Sequence, residues 1–245
     1  MSLNKSTETE VEIQRNYYAK TADLYNQMHI YNKDDEHNFA LSFMIAALDY
    51  LKIKSILDIG SGTGRAIMHL KDKRPDIRIV GLEPVKELRE IGYKQGISGT
   101  ELVDGDALNL HYRNNEFDLV CEFGVLHHVK TPSLVVSEML RVADKAIFLS
   151  DSNNFGQGSP FARSTKQLIN LIGLWRIADF IKTKGKGYTI SEEDGLGYSY
   201  SVFDNYKQIR QQCKSVHLLN TKDGEINPYR TASHVVLLGV KASYP

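Results

Sequence analysis

The residues that can do chemistry gather first in one short stretch, Ser55-Ile56-Leu57-Asp58-Ile59-Gly60-Ser61-Gly62-Thr63-Gly64-Arg65. An apolar run leads into three glycines at alternate positions, and a helical pattern carrying Ile67 and Leu70 follows. Glycine lets the backbone turn tightly and lets a ligand approach where a Cβ would stand. Nineteen residues after Gly64, at the end of the next apolar run, stands Glu83. An acid at that offset is placed to accept both hydroxyls of a ribose, so turn and acid together predict a nucleoside-bearing cofactor. The dinucleotide fingerprint G-x-G-x-x-G/A is not met, because the sixth position is Arg65 counted from Gly60 and Ile67 counted from Gly62. Asp58 also puts a carboxylate beside the turn, which disfavours a pyrophosphate and suits a phosphate-free ligand with an ammonium and a sulfonium. A glycine turn without a ligand and a nicotinamide or flavin site are the competing readings.

An open α/β sheet is needed to position these groups. Seven apolar or β-branched runs read as strands: Ser55–Ile59, Ile77–Leu82, Glu101–Val103, Phe117–Phe123, Ala146–Ser150, Val216–Leu219 and His234–Val240. Helical patterns alternate with the early ones, opened by Pro84 and by Thr131-Pro132. Such alternation predicts a mostly parallel sheet with helices on both faces. The last two strands, with no helix between them, are expected as an antiparallel hairpin at one edge. Residues 1–52 read as a helical cap, whose second helix carries Ala40, Phe43, Met44, Ala47, Leu48 and Leu51 after Asp34-Asp35. Residues 53–152 form the cofactor-binding core, and 202–245 the last helix and the edge hairpin. Residues 153–201 far exceed the roughly 2–6 residues of an ordinary connection, so they read as an insertion. Leaving a strand's carboxyl end, it is expected to form a lid over the ligand crevice.

Composition narrows the function classes. A chain of 245 residues, 42% hydrophobic, can build one substantial core, expected here as a single domain. Thirty basic and thirty acidic residues cancel, which argues against a broad electrostatic grip on nucleic acid or anionic lipid. Two cysteines, Cys121 and Cys213, make no disulfide framework and point to a reducing, cytoplasmic setting. Met1 to Lys20 holds no apolar leader segment, and no run of about 18 apolar residues predicts a membrane span.

The run Leu57-Asp58-Ile59-Gly60-Ser61-Gly62-Thr63-Gly64 resembles the first motif of the class I S-adenosylmethionine-dependent methyltransferases. Further matches fall in the family's order. Glu83-Pro84 resembles the ribose-binding end of the second strand, and Asp104-Gly105-Asp106-Ala107 the adenine-binding turn after the third. Phe117-Asp118-Leu119-Val120 through Leu126-His127-His128-Val129 resembles the fourth strand and its loop. The resemblance implies a Rossmann-like seven-stranded sheet with an antiparallel last strand, and S-adenosylmethionine as cofactor. It further implies that Asp58, Gly60 and the Gly62 backbone line the methionyl part and that Glu83 takes the ribose diol. Asp106 would accept from the adenine amino group beside the Ala107 backbone, although Asp-Gly-Asp is also ordinary turn chemistry. Pro84 and Glu122 join the expected cofactor wall. Tyr17, Tyr18 and Tyr25 lie on a helix that relatives fold over the cofactor, where aromatic faces favour a sulfonium.

The acceptor is less legible. The segment Glu122-Phe123-Gly124-Val125 lacks the Asn/Asp-Pro-Pro-aromatic loop of enzymes acting on base amino groups, and Cys121 lacks the proline preceding a cytosine-C5 nucleophile. A small-molecule acceptor is therefore expected. His127 and His128 are the general-base candidates, of which adjacency lets at most one face the acceptor. No metal site is expected, because the carboxylates that one would need are absent from that loop. Lys182, Lys184, Lys186, Glu192, Glu193 and Asp194 read as solvated loop charges. The insertion holds seven of the chain's twenty-three aromatics, Phe155, Phe161, Trp175, Phe180, Tyr188, Tyr198 and Tyr200, which are expected to line the acceptor pocket or a dimer interface. The expected activity is methyl transfer to an oxygen, nitrogen or carbon of a small molecule by a monomer or homodimer. The alternatives are a non-catalytic S-adenosylmethionine-binding sensor or activating subunit, and a nicotinamide-dependent dehydrogenase. If Glu83 holds the ribose, Glu83→Ala removes charge-assisted hydrogen bonds of about 1.5–3 kcal/mol each, and calorimetry should show S-adenosylhomocysteine bound at least about tenfold more weakly.

Overall fold

A computed structural model describes residues 9–31, 35–222 and 227–241. Its strands are β1 (Ser55–Ile59), β2 (Arg78–Leu82), β3 (Leu102–Val103), β4 (Phe117–Phe123), β5 (Ala143–Ser152), β6 (Thr189–Ser191), β7 (Gly195–Gly197), β8 (Ser215–Asn220) and β9 (His234–Val240). Its α-helices are α1 (Glu10–Asn26), α2 (Asp35–Tyr50), α3 (Arg65–Lys73), α4 (Lys86–Lys94), α5 (Pro132–Val142), α6 (Pro160–Leu171), α7 (Trp175–Lys182) and α8 (Tyr206–Gln212). Seven strands form one sheet in the order β3-β2-β1-β4-β5-β9-β8, parallel from β3 to β5. β9 runs antiparallel to both of its neighbours, so the last strand lies inside the sheet and β8 takes the edge.

The strands are apolar on both faces because helices cover both. Ile56, Leu119 and Phe148 pack with Leu41, Met44 and Leu48 of α2 and with Ile67 and Leu70 of α3. Leu57, Val120 and Ile147 face Val135, Met139 and Leu140 of α5 and Ile209 of α8. This is the alternation of a doubly covered sheet, in which successive side chains enter opposite cores. Several boundaries shift by a residue or more from expectation, and two of the shifts have a clear local cause. α4 begins at Lys86 with Val85 as its cap, since Pro84 and Glu83 are occupied in ending β2. β5 begins at Ala143, directly after α5, because Ala143 itself pairs with Phe117 of β4 and is fully buried. Asp34 of the expected helix cap lies outside the described residues.

The cap and the insertion complete the fold. α1 starts at a capping box, in which Thr9 N donates to Glu12 (2.8 Å) and Glu12 N to Thr9 Oγ1 (3.3 Å). It runs over α4, burying Ala22 against Val85 and Leu88. The insertion leaves and returns at one point, the antiparallel bridge Asn153–Ser201. Between them come α6 and α7, then the β6–β7 hairpin that the sequence reading missed. Only the hairpin reaches the crevice. α6 and α7 bury no residue completely and leave Phe161 83% and Leu171 82% exposed, so those aromatics are not a pocket lining. Trp175 instead packs edge-on to Phe155, with ring centroids 5.4 Å apart.

Asn153 holds this junction. Its fully buried side chain shares the two N–H bonds of Nδ2 among the carbonyls of Pro228 (3.0 Å), Tyr229 (2.8 Å) and Ala232 (2.9 Å), and accepts at Oδ1 from Ser201 Oγ (2.8 Å). Each buried polar group left without a partner costs about 1–3 kcal/mol. Asn153→Ala should therefore destabilise the chain by more than about 3 kcal/mol, read as a lower urea midpoint at unchanged slope.

Candidate active site

The glycine turn and Glu83 meet as their spacing predicts. β1 and β2 are adjacent and in register, Ile59 opposite Leu82, so the turn after one lies beside the acid that ends the other. Gly60 has φ +65°, and a Cβ there would strike Val125. Glu83 is buried; its Oε2 accepts from Gly62 N (2.9 Å) and its Oε1 from Val85 N (2.8 Å). A carboxylate has about four acceptor positions, which leaves two for a diol. Burial pushes its pKa up to about 7 despite those two N–H donors. Glu83, Pro84, Gly60, Asp106 and Ala107 line a cavity of about 410 Å³, closed over by Arg15, Tyr18 and Tyr25 of α1. Arg15 Nη2 pairs with Asp106 Oδ2 at 2.9 Å, while Asp106 Oδ1 accepts from Leu108 N. Asp106 thus makes the turn and still faces the cavity.

A second chamber, of about 620 Å³, adjoins the first along Tyr18, Tyr25, Phe123 and Gly124. Its wall is polar: His29, Glu36, His37, Arg65, His127, Glu193, Asp194 and His234. Burial lowers the pKa of His29, His37 and His234, which keeps these imidazoles neutral. His29 Nε2 is buried without a hydrogen-bond partner.

Between the chambers stands the loop after β4. Asp151, fully buried at the end of β5, accepts from Leu126 N (2.8 Å), His127 N (3.3 Å) and His127 Nδ1 (2.7 Å). His127 Nε2 donates to Asp194 Oδ2 (3.0 Å) in the β6–β7 turn. Burial opposes a charge on His127, but Asp151 and Asp194 outweigh it and hold its pKa well above the ordinary imidazole value. His128 Nδ1 donates to Leu196 O (2.6 Å), leaving Nε2 to accept from Tyr18 Oη (2.9 Å). Gln14 of α1 clamps the same turn, accepting from Leu196 N (2.5 Å) and donating to Asp194 O (3.1 Å). The approach is close enough that a Cβ on Gly195, which has φ +73°, would meet Gln14 Oε1 at 2.5 Å and Tyr17 Cδ1 at 2.7 Å.

Residues 57–146 match the methyltransferase domain family. Norajmaline N-methyltransferase of Rauvolfia serpentina is 38% identical over 97 residues, a stretch covering 38% of this chain and 33% of that protein. Demethylmenaquinone methyltransferase of Thermotoga maritima is 30% identical over 102 residues, or 42% of this chain and 43% of the relative. The match spans less than half the length of either curated relative. Over the whole fold, magnesium protoporphyrin IX methyltransferase of Synechocystis PCC 6803 superposes with a TM-score of 0.62 at 16% identity, covering 96% of this chain and 100% of that one, which was solved with S-adenosylhomocysteine bound. Residues 57–146 thus match a methyltransferase domain, and the fold around them is the one that solved S-adenosylmethionine-dependent methyltransferases share.

Within this fold the expected site residues divide. Gly60, Glu83, Pro84, Asp106, Ala107 and Tyr25 line the first cavity, and so do Tyr18 and His128. Gly62 contributes its N–H to Glu83. Asp58 lines a small recess behind Gly60 with Tyr25 and Arg65; it accepts from Ser61 Oγ and, at 3.6 Å, from Cys121 Sγ, and burial raises its pKa to about 6. Glu122 is not on the cavity wall. It lies fully buried under the loop, accepting from Val125 N, and burial beside Asp151 raises its pKa well above the carboxylate range. Tyr17 turns away to donate to Glu192 O (2.8 Å), while Tyr18 lines the cavity. His127 has both ring nitrogens engaged by carboxylates and is no free base. Of the seven aromatics in the insertion, only Tyr198 lines either chamber. Asp194 was the residue missed: Asp194-Gly195 is a turn signal, and a polar run read as solvated concealed it.

Glu83 gives a pH signature. An acid whose folded pKa is raised holds its proton below that value, so if the ionised form of Glu83 holds a ribose, that binding weakens as pH falls through about 7. Calorimetry from pH 8 to pH 6 should show S-adenosylhomocysteine affinity decreasing for the unchanged chain, and a weak, flatter profile for Glu83→Gln.

Proposed function

We propose that this chain transfers a methyl group from S-adenosylmethionine to an oxygen, nitrogen or carbon of a small polar molecule seated in the second chamber. The reading rests on one observation above all. Two chambers, one carrying Glu83 and one lined by His29, His37 and His234 among charged groups, meet at a collar of Tyr18, Tyr25, Phe123 and Gly124 that lines both. A sulfonium at that collar lies against aromatic faces, an interaction of about 0.5–2 kcal/mol. Its methyl then points toward whatever fills the second chamber. The curated relatives are named for small acceptors, norajmaline and demethylmenaquinone, which supports an acceptor of that size here.

Alignment carries the reaction in this reading. The sulfonium already activates the methyl carbon, and holding two reactants in line is worth about 7–11 kcal/mol. Cap and hairpin close the collar and keep water out. His29 Nε2, buried and unpartnered at the chamber wall, is suited to a hydrogen bond from or to the acceptor. A panel of small amines, hydroxy compounds and carbon acids, scored by S-adenosylhomocysteine formation, tests the proposal. His29→Ala should raise the acceptor KM about three- to tenfold at unchanged cofactor affinity, and Trp175→Ala should alter neither. Tight cofactor binding without turnover on any member of the panel overturns the enzyme reading in favour of a non-catalytic binding protein.

A further inference from the structure

We propose that His127, His128 and Asp194 form a binding site for a divalent transition-metal ion at the wall between the two chambers. The loop after β4 contains no carboxylate to complete such a set, and the β6–β7 turn of the insertion brings one. His127 Nε2 lies 3.0 Å from Asp194 Oδ2, and His128 Nε2 lies 3.4 Å from Asp194 Oδ1. The three donor groups lie within 4.8 Å of one another. Donors held about 2.0–2.2 Å from one ion at tetrahedral or octahedral angles are separated by about 2.8–3.6 Å, a range that both histidine–carboxylate distances meet.

The outer partners make the stronger argument. A ligating histidine usually donates its other ring N–H to a carboxylate or a backbone carbonyl, which fixes the ring and leaves the inner nitrogen to the metal. Both forms occur here side by side. His127 Nδ1 donates to the buried carboxylate of Asp151 at 2.7 Å, and His128 Nδ1 donates to Leu196 O at 2.6 Å. Both rings therefore turn Nε2 toward the same Asp194 carboxylate. Tyr18 Oη, 2.9 Å from His128 Nε2 and 3.2 Å from Asp194 Oδ1, stands where it can bind the ion or a water on it. Two imidazoles and one carboxylate suit zinc, iron(II) or cobalt(II), whereas magnesium and calcium prefer all-oxygen sets.

Tyr18, His127 and Asp194 line the second chamber, so an ion among them has an open side toward the acceptor. Resting here on the proposed function, the ion would hold an oxygen or nitrogen of the acceptor and face it toward the collar. Metal binding itself is independent of that reading and is measured without cofactor or acceptor. The full chain, stripped with a chelator, is titrated with zinc by calorimetry and with cobalt(II) by visible absorption. One ion per chain is expected, bound at micromolar concentration or below, with millimolar magnesium failing to compete. His127→Ala, His128→Ala and Asp194→Ala should each weaken binding more than about tenfold. Asp151→Asn should weaken it about 10–100-fold through the ring that it orients, and His69→Ala, on α3, should leave it unchanged. Each variant is admitted only if its melting temperature and S-adenosylhomocysteine affinity match those of the parent; where an alanine variant melts early, Asp194→Asn and His128→Gln replace it. No saturable binding by the parent, or binding that survives loss of Asp194 and His127, overturns the proposal and leaves the trio as a hydrogen-bonded latch.

Discussion

A carboxylate with no exposure to solvent, Asp151, sets the geometry of everything around the crevice. An ionised acid in that position is tolerated only when its oxygens are filled by donors and a cation stands beside it. Leu126 N, His127 N and Ser152 N fill them from the backbone, and the His127 ring supplies the cation. These bonds fold the loop after β4 back onto the end of β5. The neighbouring Glu122 shows the other outcome of the same burial, since without a cation of its own it is driven toward the neutral acid.

From that point the order propagates outward to both covers of the site. His127 reaches Asp194, and His128 reaches Leu196, so the β6–β7 hairpin is tied to the loop through two adjacent rings. Gln14 and Tyr18 then tie α1 to the same hairpin. Cap, loop and hairpin are therefore one network, not three independent flaps. Opening either cover breaks bonds that belong to the other, which makes closure cooperative. Arg15 and Asp106 contribute at the far end, but a pair exposed by more than two fifths on each side adds little to stability.

The division between what the sequence revealed and what it concealed follows the range of the interactions. Strand–helix alternation is local, and so are a glycine turn and an acid nineteen residues on; the sheet, the doubly covered core and the position of Glu83 beside the turn were legible for that reason. The insertion's ends were legible too, and the Asn153–Ser201 bridge falls at the expected limits. The role of Asp194 was not, because it depends on a contact spanning 67 residues with His127. A carboxylate in a polar run looks solvated until the partner across the crevice is known. The same blindness assigned Trp175 and Phe161 to the pocket: aromatic density marks an apolar surface but not the direction in which it faces. Tyr17 and Tyr18 differ by one helical position, about a hundred degrees, and only the packing of α1 on α4 decides which ring turns inward.

The electrostatics of the crevice fit the proposed reaction, in which a cation disappears. Methyl transfer neutralises the sulfonium, so a site that gripped that charge with fully ionised acids would stabilise the starting state more than the transition state. Burial works against such a grip. It raises Asp58 to about 6 and Glu83 to about 7, weakening the negative charge on the two acids nearest the glycine turn. At the collar the cation would meet the rings of Tyr18, Tyr25 and Phe123, whose attraction is modest and spread over a face. The strongly paired charges, His127 with Asp151 and Asp194, stand on the second chamber's side of the collar, where they tie the loop to the hairpin. Binding and orientation are thereby left to hydrogen bonds and shape, and little charge stabilisation has to be undone as the methyl group moves.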